Sequence, residues 1–164
     1  RPGIQIGSPP PFEGGLGRVE RENRLQTLVE REASGPMLGG NLSLVASLLG
    51  TSYETVFDKA ILILEDVDEP PYSIDRMLTS LRLAGVFERI AGLVLGKFTD
   101  YDSKGPTLSL EEVFQDRCGD LNVPVLRGLM IGHVPDQTVV PLGAIGKLDS
   151  KNQTLKITSP FFSD

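Results

Sequence analysis

Tryptophan is absent from the 164 residues, and cysteine and histidine occur once each, as Cys118 and His133. One cysteine excludes an internal disulfide, and together with one histidine it excludes a Cys/His zinc site. Both facts suit a reducing cytoplasm. Positive charge is also short. The formal net charge of −6 leaves no basic face for non-specific nucleic-acid binding. No apolar run approaches the ~20 residues of a membrane span, and the opening "RPGIQIGSPPPFEGG" has no signal-peptide pattern. The chain starts at Arg1 rather than methionine, and it reads as a piece of something longer.

What is present is an ordinary globular composition, 40% hydrophobic and 23% charged, enough for one domain with a real core. Residues 1–17 are rich in proline and glycine and read as a linker or arm. Residues 18–33 are charged, with Leu25, Leu28 and Val29 on one side, a pattern that allows a short surface helix. Asn41 is placed to cap a helix over the apolar residues 42–49, with Gly50 as its stop. That helix is apolar nearly all round and is expected to be buried.

"AILIL" (60–64) has the pattern of a central strand covered on both faces. A helix follows, with Ser73 as its expected cap, Ile74, Met77, Leu78 and Leu81 on one face, and Gly85 as a left-handed stop. "IAGLVLGKF" (90–98) predicts a second buried strand, and "SLEEVFQDRCG" a helix opened by a capping box from Ser109 to Glu112. "VPVLRGLMIG" predicts a third strand, and "GAIGKLDSKNQTLKIT" a hairpin turning at Asp-Ser-Lys-Asn. Strands alternating with short helices, closed by a hairpin, make an α/β fold with a mixed sheet.

Two features carry possible chemistry. The first strand runs into four acids, Glu65, Asp66, Asp68 and Glu69. The sixth position from Glu65 is Pro70, so an EF-hand loop, which needs glycine there, is excluded. The plainer reading is a solvated turn before a helix N-terminus. Glu65 stands apart because it directly follows the strand. The second feature is His133 in "MIGHVPDQ", just past an apolar segment, after a glycine that permits a sharp turn. A lone histidine is more often a surface or core residue than a catalyst. If Glu65 and His133 met at neighbouring strand ends, the carboxylate would hold one ring nitrogen and free the other for proton transfer.

A nucleophile is missing. No G-x-S-x-G elbow occurs, and "GTSYE" (50–54) follows a helix rather than a strand. "GPMLGGN" lacks the Lys-Ser/Thr of a phosphate loop. Cys118 falls near a helix C-terminus, where the dipole raises a thiol pKa, and reads as structural.

Four segments together, "GGNLSLVASLLGT" (39–51), "LILEDVDEPPYSIDRMLTSLRLAGV" (62–86), "GLVLGKFTD" (92–100) and "GLMIGHVPDQTVVPLGA" (128–144), resemble the C-terminal domain of the LD-carboxypeptidases, the serine peptidase family that includes the microcin-immunity peptidases. The likeness assigns residues 36–164 to that domain and leaves 1–35 a poorly matched linker or arm. It implies a swivelling β/β/α-type domain with a mixed sheet, short helices and a C-terminal hairpin. It also implies a Ser-Glu-His triad to which this domain gives the Glu of "LED", Glu65, and the His of "GH", His133. The serine and the oxyanion hole would come from an N-terminal nucleophile domain of the same enzyme, so that this chain alone is inactive.

The implied reaction is cytoplasmic. It releases the terminal D-alanine of a murein tetrapeptide in cell-wall recycling, with no metal, cofactor, nucleic acid or membrane involved. Two alternatives stay open: cleavage of another amide, such as a microcin-like peptide–nucleotide, or a non-catalytic binding or assembly module. Pairing of two copies as a homodimer is also left open. Two positions depart from the family pattern: Asp68 stands where glycine is frequent, and Ile131 where an aromatic is frequent.

Overall fold

The computed structural model describes residues 5–6, 23–101 and 108–158. Its strands are β1 (Gln5–Ile6), β2 (Gln26–Val29), β3 (Glu32–Asn41), β4 (Ile61–Val67), β5 (Gly92–Thr99), β6 (Val125–Arg127), β7 (Ile145–Asp149) and β8 (Thr154–Ile157). Its helices are α1 (Leu42–Ser47), α2 (Pro71–Leu83), α3 (Val86–Arg89) and α4 (Leu110–Cys118). The strands form one mixed sheet in the order β1-β8-β7-β3-β4-β5-β6-β2. β3 to β6 run parallel, while β2 and the β7–β8 hairpin pair antiparallel at either side.

β3 serves two partners in succession. Glu32–Pro36 pair with β7, and Met37–Asn41 pair with β4. The switch falls at Pro36, which has no N–H to give, and Met37 then donates to the Ala144 carbonyl at 2.9 Å. Gly35 and Gly39 lie so close to β4 that a Cβ at either would meet a carbonyl oxygen, of Lys59 at 2.1 Å and of Ile63 at 2.0 Å.

β4 is the central strand, and Ile61–Asp66 are all buried. Its side chains alternate between two cores, as the pleat requires. Leu62 and Leu64 face the helices, packing with Ile74, Leu78, Leu81, Leu95, Phe98 and Phe114. Ile61 and Ile63 face the other way, toward Met37, Val94, Leu126, Ile131 and the hairpin residues Leu148 and Leu155. Truncating such a fully buried leucine costs about 2–5 kcal/mol. The exposed ion pairs Arg82–Asp120 and Arg24–Glu111 contribute at most about 1 kcal/mol each.

The α/β class, the mixed sheet, the central strand and the hairpin stand as expected. So do the Asn41 cap, the Ser109–Glu112 capping box and the left-handed Gly85 (φ 72°). Several local expectations do not. Residues 26–29 are strand rather than helix, because β6 offers them a ladder that their own weak periodicity does not specify. Residues 18–22 lie outside the described residues, as do 1–17 apart from Gln5–Ile6, which pair with β8.

α2 begins three residues earlier than a Ser73 cap implies, at Pro71 behind Pro70, since proline's fixed φ suits a first turn without a side-chain cap. Ser73 is instead buried, and it accepts from Arg76. β6 stops after three residues, at a left-handed Gly128. α1 ends at Ser47 with Leu48 as its C-cap, short of the expected stop at Gly50, and it is not buried all round: Leu42 is fully buried and Val45 and Ala46 are partly so, while Leu44 and Leu48 are 65% and 36% exposed. No described helix is long and apolar enough to cross a membrane.

Candidate active site

β4 does not end where the acids begin. It continues through Glu65, Asp66 and Val67, so the pleat sends the first two to opposite faces of the sheet. Glu65 follows Ile61 and Ile63 onto the hairpin face, and Asp66 follows Leu62 and Leu64 onto the helix face. The expectation that Asp66 is a solvated turn residue is therefore corrected: it is 2% exposed. Its carboxylate accepts from Asn41 Nδ2 (2.8 Å), from the Ser43 N–H (2.9 Å) and from the Val67 N–H (2.9 Å). Asp68 is exposed, in the left-handed region at φ 62°.

Opposite Glu65 the β4–β5 ladder slips. Leu64 pairs with Leu95 and Asp66 with Phe98, so the two residues Gly96 and Lys97 oppose Glu65 alone. A bulge of this kind bends its strand and re-aims neighbouring side chains. It also opens the route for the loop after β6. His133 lies beyond β6 and Glu65 on β4, with β5 between them, so the loop must cross the end of β5 to reach the acid.

Two glycines permit that crossing. A Cβ at Gly96 would stand 2.4 Å from the Ile131 carbonyl oxygen, the same oxygen that accepts from the Lys97 N–H at 2.7 Å. A Cβ at Gly132 (φ 127°) would stand 3.0 Å from Glu65 Oε2 and 3.1 Å from Glu65 Cβ. Lys97 is itself anchored, its Nζ donating to the Asn23 carbonyl at 2.7 Å. Burial first, and then the Arg127 guanidinium, lower its ammonium pKa.

The outcome is a contact between Glu65 Oε2 and His133 Nδ1 at 2.8 Å. A carboxylate only accepts, so with Glu65 ionised Nδ1 carries the hydrogen, and in the neutral ring this leaves Nε2 with its lone pair. The carboxylate is sheltered and the imidazole is open: their side chains are 11% and 57% exposed. They line a cavity of about 660 Å³ with Gly40, Ile63, Ile131, Gln137, Val139 and Leu142. The location, beyond the carboxyl ends of parallel strands, is where α/β sheets usually carry sites. Chemically, an oriented imidazole facing a cavity can move a proton to and from a bound group.

The sequence singled out both members of this pair but missed Gly96, whose role depends on a register slip between distant segments. It also missed Gly40 and the 137–142 wall, which carry no chemical signature of their own. Cys118 is fully buried and away from the cavity, and burial rather than the helix dipole pushes its thiol up to about 12.

The sequence profile described as the LD-carboxypeptidase C-terminal domain matches residues 34–148. A Bacillus subtilis protein named "Probable murein peptide carboxypeptidase" is 38% identical over 141 residues, covering 85% of this chain and 44% of its own length. Among solved structures, the microcin C7 self-immunity protein MccF superposes with a TM-score of 0.76 at 25% identity, over 86% of this chain and 42% of the other. The muramoyltetrapeptide carboxypeptidase of Oxalobacter formigenes gives 0.72 at 29%, over 79% and 45%. The chain thus spans less than half the length of the relatives it matches. With the profile covering most of the chain and these structures sharing its curled mixed sheet, the chain belongs to the LD-carboxypeptidase family, as a C-terminal domain of that family.

Proposed function

We propose that this domain supplies two members of a Ser-Glu-His triad in a murein-peptide LD-carboxypeptidase. His133 is the general base and then the general acid, and Glu65 is its orienter. The serine and its oxyanion hole belong to a second, N-terminal domain. The observation that carries the reading is the 2.8 Å contact between Glu65 Oε2 and His133 Nδ1 at the cavity.

The steps follow from that geometry. His133 Nε2 takes the serine proton as the oxygen attacks the carbonyl of the L,D-amide, and Glu65 stabilises the resulting imidazolium. The imidazolium then gives the proton to the leaving nitrogen of D-alanine, and the acyl-enzyme is released by water activated in the same way. Proton transfer of this kind contributes roughly 10²–10⁴-fold. None of these steps calls on a metal or cofactor. The reaction belongs to the recycling of murein peptides in the cytoplasm.

Support for the substrate comes from relatives named for murein peptides and muramoyltetrapeptide. Support for a second domain comes from the relatives' greater length and from apolar side chains left exposed on the cavity wall, Val139 and Leu142. The likeness to MccF favours a second reading, cleavage of an amide in a peptide–nucleotide. The test is release of D-alanine from murein tetrapeptide by the two-domain enzyme, run beside a peptide–nucleotide substrate. Loss of release in His133→Ala supports the first reading, and turnover of the peptide–nucleotide alone supports the second.

A further inference from the structure

Asp66 is a buried carboxylate that the proposed triad does not use, directly beside the one that it does. Burying a charge without partners is costly, so its three donors need an explanation. Two of them, Asn41 Nδ2 and the Ser43 N–H, belong to the first turn of α1, immediately after Gly39 and Gly40. Those glycines have φ values of 131° and 145°, a region open to glycine but rarely to other residues. The ladder with β4 holds this glycine pair on one side, opposite Ile63 and Leu64, and leaves its exit into α1 to be held by other groups. Gly40 lines the cavity with Glu65 and His133, and a Cβ built on it would meet nothing within 4 Å. The backbone there faces open space beside the pair.

We propose that Asp66 is a positioning residue. By tying the first turn of α1 to the end of β4, its carboxylate completes the hold that the β3–β4 ladder has on this stretch, and keeps the Gly40 backbone as a substrate-facing part of the cavity wall at a set distance from Glu65 and His133. This rests on the reading of the pair as catalytic. Asp66 itself points to the far face of the sheet and touches no substrate. Asn41 completes the clamp: its Nδ2 donates to Asp66, while its Oδ1 accepts from the Ser43 hydroxyl and the Leu44 N–H, capping α1.

The experiment is steady-state D-alanine release by the two-domain enzyme carrying Asp66→Asn. Asparagine keeps the shape but turns one acceptor into a donor facing donors. KM should rise about tenfold with kcat within about threefold, since a charge-assisted hydrogen bond to the wall is lost and the proton-transfer pair is untouched. Adding Asn41→Asp restores the opposite polarity and should return KM to within about threefold of the starting value. Should Asp66→Asn fail to fold, Ser43→Pro removes one donor in a first helical turn, where proline is tolerated, and should raise KM about threefold. An unchanged KM with a lowered Tm makes Asp66 a purely structural residue and overturns the proposal, as does a fall in kcat at constant KM. His133→Ala run alongside separates the two claims. If it keeps turnover, the reading of the pair falls and the proposal with it. If it is inactive while Asp66→Asn has normal KM, only the proposal falls.

Discussion

Gly132 has φ 127° and packs so closely on Glu65 that an added methyl would sit 3.0 Å from Oε2 and 3.1 Å from Cβ of that acid. The glycine therefore does two things at once: it turns the chain toward His133 and leaves room for the carboxylate that holds the ring. Gly132→Ala should displace Glu65 or the loop by several tenths of an ångström. Misplacement on the ångström scale costs about 10²-fold in rate, and the backbone strain costs about 1–3 kcal/mol. Turnover and Tm measured together check this: a large loss of kcat/KM with a modest loss of stability is expected.

Cys118 is expected to be inert. Burial pushes its thiol up to about 12 from an ordinary 9.0, and the Arg82 guanidinium only partly opposes that. A thiol reagent at pH 8 should leave the folded chain unmodified and react once urea unfolds it. The fold favours the neutral thiol, so its contribution is complete below about pH 9 and declines as pH rises toward 12. Cys118→Ala should flatten that decline while leaving a cavity that costs about 1–3 kcal/mol at neutral pH.

The capping box of α4 should show its charge in acid. The Ser109 N–H donates to Glu112 Oε2 at 2.7 Å and the Ser109 hydroxyl does so at 2.8 Å. These two bonds, the backbone one first, hold the carboxyl below its ordinary 4.5. A depressed folded value gives stability that is present above pH 4.5 and lost as pH falls through the folded pKa. Tm curves of the wild-type chain and Glu112→Gln should lie apart at pH 7 and converge in acid.

The elements legible in the sequence were those whose signals are local. Asn41, Gly85, and Ser109 with Glu112 mark helix ends through side-chain and backbone chemistry within a few residues. Ile61–Leu64 announce a doubly covered strand by composition alone. β2 was not legible, because Gln26–Val29 become a strand only when Val125–Arg127 stand beside them. The exposure of Leu44 and Leu48 was missed for a related reason: apolar content says that a face should be covered, not that this chain covers it.

At the site, the resemblance selected Glu65 from a run of four acids, and the strand's alternation explains why Asp66 differs from it. Reading the strand as ending at Leu64 hid that alternation. The bulge at Gly96–Lys97 and the crossing of β5 depend on register between segments far apart in sequence, and no local pattern encodes them.

In the proposed triad Glu65 and His133 act as one unit, which a double-mutant cycle on kcat tests most directly. In the two-domain enzyme, Glu65→Gln and His133→Ala should each lower kcat by about 10³-fold or more, and the double variant should be little worse than His133→Ala alone. Near-normal turnover in either single variant, or losses that multiply in the double, would contradict it.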